Sequence, residues 1–219
     1  MISITVDLRN QFGPARNQGD RPTCLAFAGS DAHAHARNTN EYLSAEYAHF
    51  NATRRRTPPR PELAATIPLM IAAIREDGQP LENAWPYLAA LPSPLSDYQP
   101  PPNLGPCFRH TFTETPPKTE QILETLNAGQ PALLGLRITQ QFHYPPPDRI
   151  IRLTHPDPPT ANHAVLCVGW GTIATTTVFL VRNSWGEQWA SGGHIWLTDD
   201  YVRAQLLALA RSAKGVPTQ

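Results

Sequence analysis

ANHAVLCVGWG (residues 161–171) and VFLVRNSWGEQWASGGHIWL (residues 178–197) decide how this chain folds. The first is an apolar run through Val165, Leu166, Cys167 and Val168, closed by a Gly-Trp-Gly turn signal, and it reads as a buried strand opened by His163. The second reads as an apolar strand ending at Asn183, then a Gly-rich turn, then a further strand at His194 to Leu197. Two neighbouring strands can set His163 and Asn183 side by side. The Asn183 carboxamide oxygen then accepts from one ring N–H, the other ring nitrogen is free for a second partner, and Trp185 shelters the bond from water.

That second partner is expected far upstream. NQGDRPTCLAFAGSDAHAHA (residues 17–36) passes from a polar loop with Gly and Pro into an Ala-rich stretch of good helix formers, so Cys24 sits at a helix N-terminus. Unpaired amides and the positive end of the macrodipole there favour thiolate over thiol, and the Cys24 pKa is expected below that of free cysteine. Gln18, six positions earlier, can aim its amide at the same point as the Cys24 backbone N–H. In chain order Gln18, Cys24, His163 and Asn183 supply an oxyanion donor, a nucleophile, a base and an orienting group, which is the set that thiol-based acyl transfer needs.

The same residues carry a resemblance to the papain (C1) family of cysteine peptidases, across residues 6 to 197. VDLRNQFGPARNQG resembles the mature N-terminus of that family, TCLAF its SCWAF, NHAVLCVGWG its DHAV…GYG strand, and RNSWGEQWASGGHIWL its KNSWG…W…GY pattern. LSAEYAHFNA (43–52) and Trp85-Pro86-Tyr87 are weaker echoes of the family's LSEQ segment and its Tyr-Pro-Tyr. The resemblance implies an α+β fold with a helical N-terminal half, a β-barrel-like C-terminal half and the cleft between. It also implies Cys24 as nucleophile, His163 as general base and acid, Asn183 as orienter, and Gln18 with the Cys24 N–H as oxyanion hole. The substrate is expected along Ala64, Ala65, Thr66 and Ile67 on one side and Asn162, Ala164 and Trp185 on the other. Departures are plain. The half-cystine before the nucleophile and the Trp after it are Arg21 and Leu25 here, and PELAATIP (61–68) stands in place of the family's Gly-Gly-rich segment.

Composition bounds the rest. The 219 residues match one domain, read as a helical part over about 10–110, a β-rich part over about 111–208 and a tail over 209–219. Helices are expected at 24–38, 68–77 and Thr119 to Asn127. The proline runs TPPRP, YQPPPN, TPPK, YPPPD and HPDPP mark loops. A net charge of zero gives no field for nucleic acid or an anionic membrane. His33 and His35 do not share a helix face and are expected on a solvated surface, so no metal or other cofactor is expected. Arg54-Arg55-Arg56 with Arg60 reads as solvated charge.

Three cysteines, an odd number without the family's disulfide positions, point to a reducing compartment. With no apolar core behind a basic N-terminal region, no signal peptide or membrane span is expected. The mature-like sequence begins at Val6, so no propeptide is expected either. The resulting expectation is a cytoplasmic protein, or a bacterial effector exported without a signal peptide. It would act on protein or peptide and be restrained by narrow specificity, a regulatory protein partner or a cleft loop. Three functions fit: a peptidase, a papain-fold deamidase or acyltransferase, and a non-catalytic binding scaffold.

Overall fold

The computed structural model describes residues 1–39 and 41–213. In chain order it forms β1 (Ser3–Asp7), α1 (Cys24–Ala36), α2 (Ala45–Thr53), α3 (Ile67–Glu76), β2 (Phe112–Thr115) and α4 (Thr119–Asn127). There follow β3 (Ala132–Ile138), the single turn α5 (Gln140–His143), β4 (Ile150–Ile151), β5 (Ala161–Ile173), β6 (Thr176–Arg182), β7 (His194–Thr198), α6 (Asp199–Gln205) and β8 (Leu206–Ser212). Among the described residues, α1 to α3 lie before residue 110 with β1 as the one strand among them, and β2 to β8 follow together with α4 to α6, an α+β chain as the sequence implied.

The sheet is organised by β5. Its order is β2-β8-β3-β5-β6-β7-β4, antiparallel except for the parallel β4–β7 pair. At 13 residues β5 is long enough for two partners on one edge, β3 along Ala161–Cys167 and β1 along Gly169–Thr172. This corrects the expected turn at Gly169-Trp170-Gly171. The strand runs on to Ile173, and the turn falls at Ala174 and Thr175. The glycines serve the approach of β1: a Cβ on Gly169 would lie 2.5 Å from Val6 O, and one on Gly171 2.4 Å from Ser3 O. The run Val165–Val168 is fully buried, as an apolar strand covered on both faces should be.

α1 packs on β5 on one side and on α2 and α3 on the other. Ala26, Ala28 and Ala32 keep these approaches short, and Met70 and Ile74 of α3 fill the space beside Gly29. A helix enclosed on this many sides has no solvated stripe, so the expected exposure of His33 is corrected. That ring is fully buried, hydrogen bonded through Nδ1 to Gln79 Oε1 at 2.9 Å and stacked on His110. His35 is half-buried against Gln11 Oε1 at 2.7 Å.

Buried charge ties the two halves together. Asp31 of α1 accepts from Arg182 Nε of β6 at 2.7 Å and from Arg16 Nη2 at 2.8 Å. Burial raises the Asp31 pKa, but the two guanidinium groups outweigh it and hold the carboxyl below its ordinary value. Arg182 immediately precedes Asn183, so this contact fixes the end of β6 against the helix that begins at Cys24.

Two further expectations change. Residues 209–212 belong to β8, which pairs with β2 and β3 and buries Leu209 and Ala210, so the β-rich part continues to Ser212. The rest of the expected tail from residue 214 on lies outside the described residues. The arginine run is not simply solvated, because Arg54 and Arg55 pair with Asp77 and Glu76 at the end of α3. All five proline runs lie largely in loops, with only Thr115 of TPPK inside a strand.

Candidate active site

Asn183 follows β6 and His163 lies near the start of β5, and the pairing of those strands brings them together. The Asn183 backbone N–H is held by Gly193 O at 2.9 Å. Its side-chain Oδ1 lies 2.8 Å from the Ser184 N–H and 2.7 Å from His163 Nε2. An N–H can only donate, so the Ser184 contact identifies the atom as oxygen. His163 Nε2 must therefore carry the hydrogen, which leaves Nδ1 as the ring's lone-pair nitrogen. This is the tautomer a general base needs when its other nitrogen is the one that faces the nucleophile.

Aromatic rings enclose that bond. Trp185 lies 4.9 Å from the imidazole between centroids and Phe142 5.7 Å, with Trp189 packed on both. The exposed His143 stacks on Trp185 at 5.4 Å. The sheltering role expected of Trp185 thus falls to a group that includes Phe142, His143 and Trp189. Phe142 and His143 sit on α5, ahead of a proline run, and no local pattern in the sequence singled them out.

Cys24 opens α1 after Thr23, whose side chain caps no amide of the first turn, while the Ala26 and Phe27 N–H groups go to the Thr23 carbonyl. The N–H groups of Ala164, Leu25 and Cys24 itself all act to lower the thiol pKa. Ala164 is the residue after His163, so the helix start and the strand carrying the imidazole meet at the sulfur. Burial nevertheless dominates and pushes the Cys24 thiol up, against the expectation of a lowered pKa. The same burial, only partly opposed by the Asn183 hydrogen bond, holds His163 down at about 4. Taken singly, each group is driven toward its neutral form.

Gln18 is buried on the loop before α1. Its backbone N–H donates to Ser184 O at 2.8 Å, and its Oε1 accepts from Ser184 Oγ at 2.6 Å. Nε2 donates to Arg21 O at 2.7 Å, which leaves the second carboxamide N–H uncommitted. Ser184, not singled out from the sequence, therefore joins the Gln18 loop to the His163–Asn183 pair.

The remaining expected residues are less uniformly placed. Ala164 is buried beside Cys24, and Ile67 lies 3.7 Å from where a Cβ on Gly135 would stand, Gly135 being the sheet neighbour of Ala164. Ala65 is half-buried against the core. Ala64, Thr66 and Asn162 are exposed, the first two before α3 and the third at the mouth of β5.

A family profile described as papain family cysteine protease matches residues 82–210, a span that includes His163 and Asn183 and begins after Gln18 and Cys24. The chain belongs to the papain family of cysteine proteases. It is 28% identical to Peptidase 1 of Dermatophagoides farinae over 205 residues, covering 88% of this chain and 60% of that protein. It is 28% identical to cathepsin K of Gallus gallus over 117 residues, covering 53% of this chain and 34% of that one. The chain thus spans less than two thirds of the length of these curated relatives. In fold it is similar to xylellain, a cysteine protease from Xylella fastidiosa, with a TM-score of 0.78 and 20% identity over 97% of this chain and 86% of that one. It is likewise similar to a Carica candamarcensis cysteine protease solved in complex with E-64, with a TM-score of 0.71 and 21% identity over 96% of this chain and 98% of that one.

Proposed function

We propose that the chain is a cysteine peptidase that hydrolyses peptide bonds with Cys24 as nucleophile, His163 as general base and acid, Asn183 as orienter and Gln18 as oxyanion donor. One observation carries the reading: Asn183 Oδ1 is shared between the Ser184 N–H and His163 Nε2, which holds the imidazole in the base-competent tautomer. The proton of Cys24 Sγ passes to His163 Nδ1 as sulfur attacks the substrate carbonyl carbon. The carbonyl oxygen becomes an oxyanion and accepts from the Cys24 N–H and the free Gln18 Nε2 hydrogen. The imidazolium then protonates the leaving amine and the C–N bond breaks, leaving a thioester on Cys24. Water, deprotonated by His163, attacks the thioester; the acid leaves and the thiol is restored.

Ala164 and Ile67, together with Ala65, form the apolar side of the cleft in this reading, and Trp185 borders the side on which the amine leaves. Three free thiols fit a reducing, cytoplasmic setting, and restraint by narrow specificity or by a regulatory protein partner belongs to the same proposal.

The test is to incubate the reduced chain and its Cys24→Ala variant with a proteome-derived peptide library and to sequence the products. Cleavage at a restricted set of sites by the wild type alone is the expected result. Deamidated but uncut peptides would replace peptidase by deamidase, and no Cys24-dependent product would leave a binding scaffold.

A further inference from the structure

The loop before Cys24 carries a buried ion pair that none of these chemical steps uses. Glu46 of α2 is wholly buried, yet both carboxylate oxygens are saturated. Oε2 accepts from Arg21 Nη1 at 2.6 Å and from the Leu88 N–H at 2.9 Å. Oε1 accepts from Arg21 Nη2 at 2.8 Å and from the Tyr98 hydroxyl. Arg21 Nη1 also donates to Leu88 O at 2.7 Å, and the guanidinium lies 5.1 Å from the Tyr87 ring centroid and 5.8 Å from that of Tyr98. A forked pair with every lone pair engaged has one geometry. Relative to an apolar pair of similar volume, such a buried ion pair adds little net stability, so stability alone does not explain it.

Its consequence lies in the backbone. The Arg21 carbonyl receives Gln18 Nε2 at 2.7 Å and the Thr23 N–H at 2.8 Å. A second anchor works alongside, the Tyr87 hydroxyl donating to Gln18 O at 2.7 Å and receiving Thr23 Oγ1 at 2.8 Å. The loop from Gln18 to Thr23 is therefore pinned at its start and end by Tyr87 and near its middle by the side chain of Arg21.

We propose that the Arg21–Glu46 pair is a positioning device for the oxyanion donor: it holds the Arg21 carbonyl where it fixes the Gln18 carboxamide with one N–H free for the substrate oxygen. The proposal rests on the role given to Gln18 above. Arg21 and Glu46 touch no reacting atom and act only through that amide.

Glu46→Gln, made alone and in a Gln18→Ala background, tests it on a peptide that the wild type cleaves. Alone, it is expected to lower kcat by at least ~10-fold with KM changed by less than about threefold, as loss of a group acting in the transition state predicts. Cys24 alkylation by iodoacetamide, which forms no oxyanion, should stay within about twofold of wild type. In the Gln18→Ala background the same change should cost less than about twofold more, because an effect transmitted through an absent amide is not additive. Additive losses, or an unchanged kcat, would overturn the proposal.

Arg21→Lys keeps the charge and breaks the fork; it should give the same pattern and serves if Glu46→Gln does not fold. A readout independent of turnover separates this idea from the peptidase reading. In 15N spectra the two Gln18 carboxamide protons, assigned by their loss in Gln18→Ala, should be well separated in the wild type and converge in Glu46→Gln. Unchanged shifts would overturn the positioning role even in an active enzyme. Convergent shifts in an enzyme that cleaves nothing would uphold the clamp and sink the peptidase reading.

Discussion

Asn183 Oδ1 stands 2.7 Å from His163 Nε2, and its second contact, to the Ser184 N–H, determines which end of the carboxamide faces the ring. The relationship is orientational, so removing it should weaken turnover without abolishing it. Asn183→Ala is expected to lower kcat/KM by roughly 30-fold, or about 2 kcal/mol, the scale of one hydrogen bond to a group that becomes charged. His163→Ala removes the proposed proton acceptor itself and should leave no measurable turnover. Steady-state kinetics on one cleaved peptide compares the two, and equal losses would contradict the assigned roles.

Gln18→Ala removes the oxyanion donor proposed above. The expected loss is ~2 to 4 kcal/mol of transition-state stabilisation, read as a fall in kcat. A kinetically silent substitution would show that the oxyanion is held by other groups.

Thiol reactivity should differ sharply among the three cysteines. Cys167 is fully buried in β5, with its pKa pushed up to about 12 by that burial, and should resist iodoacetamide in the folded protein. Cys24 is partly exposed, and with His163 taking its proton as proposed it should label faster than either Cys107 or Cys167. His163→Ala should slow Cys24 below the rate of a free thiol, because burial then opposes the thiolate with no cation formed beside it. Mass spectrometry of time points gives the three rates, and equal labelling would remove Cys24 from its role.

Acid should unfold this protein through its buried imidazoles. Burial holds His33, His163 and His194 each at about 4 in the folded chain, against about 6.5 when unfolded. Between those values the unfolded chain binds more protons, so each ring's contribution is fully present above pH 6.5 and is lost as pH falls toward 4. The loss amounts to at most about 3 kcal/mol per ring. Denaturant midpoints measured from pH 7.5 down to pH 4.5 should fall steadily. A flat profile would mean that these rings are not held neutral by the fold.

Gly193→Ala should damage both fold and site. Its φ of +79° is one that side chains rarely adopt, and a Cβ there would come within 2.2 Å of the Ala15 Cβ. Its carbonyl also receives the Asn183 N–H. A loss of more than about 2 kcal/mol is expected from strain combined with overlap, together with reduced turnover in whatever fraction folds. Unaltered thermal stability would refute the close approach.

Much of the local structure around these residues is legible in the sequence. Val165–Val168 and Val178–Val181 are apolar runs whose local pattern is enough to make strands, and each sets a polar residue at its edge, His163 in one case and Asn183 in the other. Cys24 after a Pro- and Gly-bearing loop and before an Ala-rich stretch is a helix start on local grounds alone. Such signals depend on neighbours within a few residues, and a sequence displays those directly.

Contacts between distant parts of the chain were decided only by the tertiary structure. β1 and β8 carry weak patterns of their own and become strands because β5 and β3 present open edges to them. Asp31 and Arg182 lie 151 residues apart, as Gln18 and Ser184 lie 166 apart, and no local rule pairs them. His33 reads as solvated from sequence because helical spacing describes one helix and not the elements packed around it. The direction of the Cys24 pKa turned on the same point. The helix start that lowers it can be read from residues 17 to 36, whereas the burial that overrides it is the sum of what other segments bring around the sulfur.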